Sequence, residues 1–356
     1  MKVALIRREF ITHLDGVNRF IANLAEGLRA LGHDVVIASW SYRVLESESL
    51  AKWFKEAHGL DSEFHIYTLR GPEKLDRWVK MMYEWSTKGS RLLEKLGIDI
   101  VVVNGVVPLK FKPKIAVAHG PLLNVSWLQR ATLRVLYRMY DYVVCVSEES
   151  RRVYRGIVKC NAIIPLPLKL KNFKPKAARD REDLIVHVGT RPIKNPWISV
   201  RAVETLRERG HNVRLALIGS RSNYVEVLCK GRDFCLQIFD TDEHLKNEVL
   251  RSAKALILPS SSEALPFTVL EAMACGTPPV VSYAVPSDVV IHKYNGLRVE
   301  SLNLVNYADA LEKLLVDEDL WLRVHQHALS FVKKFDHVEI AKKYSDIFEK
   351  LVISRN

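Results

Sequence analysis

Ser260-Ser261-Ser262-Glu263-Ala264-Leu265-Pro266-Phe267-Thr268-Val269-Leu270-Glu271-Ala272-Met273-Ala274-Cys275-Gly276-Thr277-Pro278 is the stretch whose reading decides the fold. The apolar run just before it, Ala255-Leu256-Ile257-Leu258, fits a buried parallel strand. Ser260 to Ser262 make a polar turn. Pro266 reads as a first helical residue, where a missing N–H and a fixed φ are tolerated. Gly276 reads as the left-handed stop, with Pro278 just beyond it. The order is strand, loop, short helix, stop. It places Glu263 in the loop and Glu271 in the helix. The N–H groups at the helix start, around residues 265–268, can hold an anion.

Two carboxylates eight residues apart also describe a capped helix with one solvated glutamate. The residues after Glu271, Ala-Met-Ala-Cys-Gly, form a small apolar surface that packs inward. A glutamate on such a helix needs a partner, because an unpaired buried carboxylate is costly. Ligand hydroxyls are the expected partner.

Working outward, 356 residues suggest two domains, and 48% hydrophobic with 26% charged residues describes a globular chain. The net charge is +12, and residues 1–170 hold most of it, with 26 Lys and Arg against 17 Asp and Glu. That basic half suggests an acidic partner, either phosphate or anionic lipid, and nucleic acid is not expected. The five cysteines are scattered, and no pair has zinc-ligand spacing. They read as free thiols of a reducing cytoplasm, with Cys229 and Cys235 the pair able to bridge. Met1 to Arg8 has only a four-residue apolar run before charge and reads as a first strand, not a signal peptide. No run approaches the roughly 18 apolar residues of a membrane span.

The start, strand 3–6, loop 9–16, helix 17–31 and strand 35–38, is a βαβ unit of a doubly wound sheet. The first loop lacks the Gly-x-Gly-x-x-Gly of a nicotinamide fold, although Gly16 permits close approach to a ligand. Residues 42–97 read as mostly helical. Lys110, Lys112 and Lys114 form a basic stripe before strand 115–118, which ends in His119-Gly120-Pro121. Ligands bind at the carboxyl ends of strands in such sheets, so His119 is a site candidate, a backbone-bonded structural histidine being the other reading. On a helix over 127–140, Arg130, Arg134 and Arg138 share one face. It reads equally as a membrane-surface helix or as a sheet-packed helix with a solvated stripe. A polar, proline-bearing linker runs over 169–176. Strand 184–189 then ends in Gly189, followed by Arg191 and Lys194 and a helix over 197–209. Two cations at a strand's carboxyl end, beside a helix start, suit a diphosphate. Asp240-Thr241-Asp242 resembles a metal-binding pair but precedes Glu243-His244-Leu245 and reads as a helix cap, so no metal site is expected.

Ser-x-x-Glu-Ala-Leu-Pro-Phe-x-x-Leu-Glu-Ala-Met-Ala-Cys-Gly-Thr-Pro resembles the Glu-x7-Glu signature of the large retaining GT-B glycosyltransferase family, group 1 or family 4. The resemblance runs along the chain, strongest over 184–300 and weakest over 40–115. It implies two Rossmann-like doubly wound domains facing each other across a cleft. Residues 1–170 would be the acceptor side and 177–335 the nucleotide-sugar domain, with helix 336–356 crossing back onto the first. It further implies metal-independent hexosyl transfer from a nucleoside-diphosphate sugar, without another cofactor, to a glycan, lipid or small-molecule acceptor. By the same resemblance Glu271 binds the ribose and Glu263 faces the transferred sugar. Arg191 and Lys194 hold the diphosphate, and His119 acts from the first domain. Gly16, Gly189, Leu265, Pro266, Phe267 and Thr268 complete the donor site. Three departures stand out: Asp15 in place of a loop glycine, a close Arg191–Lys194 spacing, and no Asn-Gly-Val-Asp-like turn after Pro167. A same-fold sugar-nucleotide epimerase and a non-catalytic GT-B binding module are the alternatives. A cytoplasmic protein with peripheral contact on the inner face of an anionic membrane is the expected location.

Overall fold

The computed structural model describes residues 1–13, 15–41, 47–70, 77–120 and 125–353. Pro121, part of the His119-Gly120-Pro121 strand end, lies outside them. The chain divides into two compact units, Met1–Leu168 with Phe335–Asn356, and Lys169–Lys334.

The first unit is built on seven parallel strands: β1 (Lys2–Arg7), β2 (Asp34–Ser41), β3 (His65–Arg70), β4 (Ile100–Asn104), β5 (Lys114–Ala118), β6 (Tyr142–Cys145) and β7 (Ala162–Ile163). Their order is β3-β2-β1-β4-β5-β6-β7. The second unit holds six: β8 (Glu182–Val188), β9 (Arg214–Gly219), β10 (Cys235–Phe239), β11 (Ala253–Leu258), β12 (Pro279–Ser282) and β13 (Leu297–Val299), in the order β10-β9-β8-β11-β12-β13. Central strands such as Val101-Val102-Val103 and Ala255-Leu256-Ile257-Leu258 are buried on both faces, as continuous apolar runs in a parallel sheet should be. The edge strands are less legible. His65–Arg70 lies inside a stretch expected to be helical, and of its mixed residues only Ile66 and Leu69 are buried.

The Gly16–Ala30 helix packs against the last helix, His337–Ile353, within the first unit. Gly27 is the contact. A Cβ there would lie 2.3 Å from the His337 carbonyl oxygen and 2.8 Å from the Ala341 Cβ, so only glycine allows the two backbones to meet.

Two expectations need correction. Lys114 is not part of an exposed stripe: it is buried, donates through Nζ to the Leu109 carbonyl and lies 5.3 Å from the Tyr140 ring centroid, while Lys112 pairs with Asp141 at 3.1 Å. The cysteines are not all free either. Cys145 is joined to Cys160 and Cys229 to Cys235, with Cα–Cα distances of 5.8 and 5.4 Å, leaving Cys275 buried as a thiol. Topology explains the first pair, because Cys145 ends β6 and Cys160 lies two residues before the start of its neighbour β7. Denatured protein should therefore titrate one thiol per chain before reduction and five after it. Five before reduction would show both bridges absent.

His187 is a core residue of β8. Its Nδ1 lies 2.8 Å from the Ser199 hydroxyl, which ties the strand to the Pro196–Glu208 helix, and its Nε2 lies 2.7 Å from the Gly189 carbonyl. A carbonyl only accepts, so Nε2 carries the proton. Burial pushes the imidazole down to about 4, against the opposing pull of the Gly189 carbonyl. The unfolded chain takes up this proton below about 6.5 and the folded chain does not until about 4, so stability is lost as pH falls through that window. Denaturant unfolding at pH 7 and pH 5 should show wild type losing about 2 kcal/mol more than His187→Asn between the two. Equal losses would assign the slope to other groups.

Candidate functional site

In the second unit the chain leaves β8 toward β9 on one side and leaves β11 toward β12 on the other. The neighbouring ends of β8 and β11 are therefore the topological switch point, where an open α/β sheet opens a crevice. The two loops leaving these ends are joined. Asn195 Nδ2 donates to the Pro259 carbonyl at 2.9 Å and to the Ser261 hydroxyl at 2.7 Å, and Ser261 N–H donates to the Ile193 carbonyl at 2.9 Å. Asn195 holds φ +50°, one of the few side chains that tolerates this region. Gly189, at φ +113°, lets the Lys194 stem lie against the strand end: a Cβ there would sit 3.1 Å from Lys194 Cγ.

The helix starts around this sheet fall into two groups. After β9 the helix is capped by Ser222, whose side chain accepts from Val225 N–H. After β10 Asp242 does the same for Leu245 N–H at 2.7 Å, which makes Asp240-Thr241-Asp242 a cap as expected. The helices after β8 (Pro196–Glu208) and β11 (Phe267–Ala274) have no side-chain cap and no acidic residue in the first turn. They are the two that flank the switch point. Pro266 is not the first helical residue, as expected from sequence, but the residue before it, extended at φ −78°, ψ 119°. It supplies no side-chain acceptor, so the first turn, Phe267 and Thr268 with Leu265 just upstream, keeps its anion-binding potential.

Cations are placed beside these helix starts. Arg191 is exposed; its carbonyl accepts from Lys194 N–H at 2.9 Å, while its guanidinium makes no hydrogen bond or ion pair among the described residues. Lys194 is held by Glu263 Oε1, both side chains largely buried. Glu271 is 2% exposed, and its partner is a lysine that sequence reasoning did not find: Lys246, on the Glu243–Ser252 helix, at 2.9 Å from Oε2. The expectation that ligand hydroxyls alone would partner Glu271 is thus corrected. The same ammonium lies 2.7 Å from Glu243 Oε2. Burial, reinforced by the Glu271 charge, pushes the neighbouring Cys275 thiol up to about 12, so no further anion forms there.

The far end of this helix is clamped. Gly276 takes φ +70°, and a Cβ would meet the His325 ring at 2.5 Å. His325 Nδ1 donates to the Gly276 carbonyl at 2.6 Å. Arg181 donates to the Cys275 and Ala253 carbonyls and to the Thr277 hydroxyl, at 2.7–2.8 Å. Arg181 and His325 belong to segments that carried no sequence signal.

In the first unit, residues at the carboxyl ends of β1, β4 and β5 form a second cluster. Asn104 Nδ2 donates to the Ile6 carbonyl at 3.1 Å, so its Oδ1 faces His119 Nε2 at 2.8 Å and takes that proton. The ring stands edge-on to Phe20, centroids 4.8 Å apart. Desolvation pushes His119 down to about 3, with Arg7 adding repulsion, so it is a neutral imidazole whose Nδ1 carries the lone pair. Gly16 opens the first helix, and Asp15 caps it. Asp15 Oδ1 accepts from Val17 and Asn18 N–H at 3.0 and 2.9 Å while Oδ2 pairs with Arg7 at 2.7 Å. The residue that departs from the family's loop thus fills the anion position of its own helix.

Comparison with known proteins gives a family match for each unit. Residues 169–330 match the model described as Glycosyl transferases group 1, and residues 14–166 match Glycosyltransferase Family 4. A GDP-mannose-dependent alpha-(1-6)-phosphatidylinositol dimannoside mannosyltransferase of Mycobacterium tuberculosis is 31% identical over 156 residues, 40% of this chain and 41% of that protein. The match to a D-inositol 3-phosphate glycosyltransferase of Corynebacterium jeikeium likewise spans 41% of that relative, at 28% identity over 45% of this chain. An uncharacterized glycosyltransferase of Haemophilus influenzae is 25% identical over 93% of this chain and 96% of its own. Among solved structures, a sucrose-phosphate synthase from Thermosynechococcus elongatus superposes with a TM-score of 0.81 at 18% identity, covering 99% of this chain and 100% of that one. Anabaena HepE in complex with UDP-glucose gives 0.76 at 15% identity, with the same coverage. With two parallel α/β sheets, a family 4 match on the first unit and a group 1 match on the second, the chain belongs to the GT-B glycosyltransferases.

Proposed function

We propose that this chain transfers a sugar from a nucleoside-diphosphate sugar to an acceptor hydroxyl, with retention and without a metal. The observation that carries the reading is the convergence at one switch point of two uncapped helix starts, Arg191, the Lys194–Glu263 pair and the buried Glu271.

The chemistry follows from charge. The C1–O bond to the β-phosphate breaks, the acceptor oxygen bonds C1 on the same face, and the acceptor proton passes to the departing phosphate oxygen. Charge therefore grows on the diphosphate. Arg191, Lys194 and the first turns of the Pro196–Glu208 and Phe267–Ala274 helices stabilise it, an electrostatic role worth several kcal/mol. These donors do the work a metal would do elsewhere. Retention by double displacement needs a free carboxylate nucleophile. Glu271 is buried on Lys246 and Glu263 is bound to Lys194, which favours same-face attack. Glu271 holds the ribose and Glu263 faces the sugar. Gly189 keeps the diphosphate loop in place. The first unit serves the acceptor, with neutral His119 and the Gly16 loop at its strand ends.

The acceptor lies at an anionic membrane surface. The Trp127–Tyr137 helix buries only Tyr137, while Trp127, Leu128 and Val135 are 80%, 60% and 61% exposed and Arg130 and Arg138 stand exposed beside them. Arg134 instead donates to the Gly156 carbonyl at 2.9 Å. No helix among the described residues is long and apolar enough to cross a membrane.

Glu271→Ala should weaken binding of the nucleoside diphosphate about ten- to a hundredfold, because it removes charged hydrogen bonds to ribose. Glu263→Ala should leave that affinity nearly unchanged and lower turnover of the whole donor. Turnover should survive EDTA. Equal loss of diphosphate affinity in both variants would overturn the division of roles, and release of free nucleotide without acceptor would favour the epimerase. Sedimentation with vesicles tests the membrane reading. Vesicles rich in anionic lipid should retain the protein, neutral ones should not, and Arg130→Glu with Arg138→Glu should cost more than tenfold in partitioning, at about 1 kcal/mol per charge. Equal retention on both vesicle types would refute it.

A further inference from the structure

The Lys246–Glu271 contact asks why a lysine is buried there. A buried ion pair is weak support for stability, since an apolar pair of similar volume often does as well. The Lys246 side chain is 9% exposed, and its ammonium lies between two carboxylates, Glu271 at 2.9 Å and Glu243 at 2.7 Å. Glu243 is on the same helix, three residues earlier, so it fixes the ammonium from its own helix whatever the Phe267–Ala274 helix does. The arrangement leaves one net negative charge over three groups.

From this geometry we infer that Lys246 is a positioning residue for Glu271: it holds the carboxylate in one rotamer, ready to accept from the two neighbouring hydroxyls of a ribose. The inference rests on the assignment of Glu271 to the ribose. It concerns a residue outside the Glu-x7-Glu stretch, delivered by the preceding helix. Lys246 acts through Glu271, and its loss should be felt only by ligands that carry the hydroxyls Glu271 reads.

The test compares GDP and UDP with their 2′,3′-dideoxy counterparts by calorimetry, using the full chain. Wild type should prefer the ribonucleotide that it binds over its dideoxy form. In Lys246→Met, ribonucleotide affinity should fall about tenfold while dideoxy affinity changes less than twofold, because a charged hydrogen-bond network to the sugar is lost. Lys246→Arg should recover most of the preference. Should the methionine variant not fold, Lys246→Gln keeps a donor to Glu271 without its charge and should show the same selective loss. Equal loss for ribo and dideoxy ligands would mean that Lys246 is structural or touches base or phosphate, and the proposal would fall. Glu271→Ala separates the two levels. If it abolishes the preference and Lys246→Met does not, only the Lys246 proposal fails. If it leaves the preference intact, the ribose assignment fails and takes this proposal with it.

Discussion

A carboxylate withdrawn from water must be paired, and Glu271 is the residue on which this requirement falls hardest in the second unit. Meeting it dictates much of the surrounding order. Lys246 must arrive from the Glu243–Ser252 helix, so that helix must cross from β10 to β11 with its first turns against the Phe267–Ala274 helix. The latter must not slide, and its C-terminal end is clamped by the Gly276 turn, the His325 ring and four donated contacts from Arg181 and His325. Fixing the C-terminal end fixes the N-terminal end as well, because eight residues of helix are about 12 Å of rigid rod. The packing behind the signature thus sets where its first-turn N–H groups point.

The two units solve the same problem in opposite ways. Each has a helix start at a switch point of its sheet, β1/β4 in one and β8/β11 in the other. In the first unit Asp15 supplies the anion from within, completed by Arg7. In the second the helix starts are left without side-chain caps and exposed Arg191 stands nearby. A helix N-terminus carries roughly half a positive charge, which an internal carboxylate cancels. The second unit therefore retains its attraction for an outside anion at this place and the first does not. Its neutral His119, with the Nδ1 lone pair, suits a hydroxyl donor better than a phosphate.

Much of this was legible in the sequence, for physical reasons. The short apolar runs of the central strands fit buried parallel strands. The stretch from Ser260 to Pro278 carries its own start and stop signals, and only Pro266 was misplaced, by one position at the helix boundary. Glu263, Glu271, Arg191 and Lys194 could be singled out as candidates because they lie on loops and helix starts that these signals locate. What sequence did not show depends on contacts far apart along the chain. Lys246 meets Glu271 across 25 positions, and nothing in Asp242-Glu243-His244-Leu245-Lys246 distinguishes it from a surface lysine. The Cys145–Cys160 bridge needs the knowledge that β6 and β7 are neighbours. Strand β3 was hidden because edge strands are half-exposed and lose the apolar run that marks central ones.

The charges gathered at the second-unit site make a final point about selectivity. Arg191, Lys194 and Lys246 face Glu243, Glu263 and Glu271, three cations against three carboxylates, so the formal sum is zero. Attraction of an anion to this place cannot then come from the net charge of these six groups at long range. It has to come from placement: the carboxylates are tied to the two lysines, while exposed Arg191 and the helix dipoles keep their positive ends outward. An ammonium has three donors, so Lys194 can engage a phosphate oxygen while still holding Glu263. The long-range field lies elsewhere, in the first 170 residues with 26 Lys and Arg against 17 Asp and Glu.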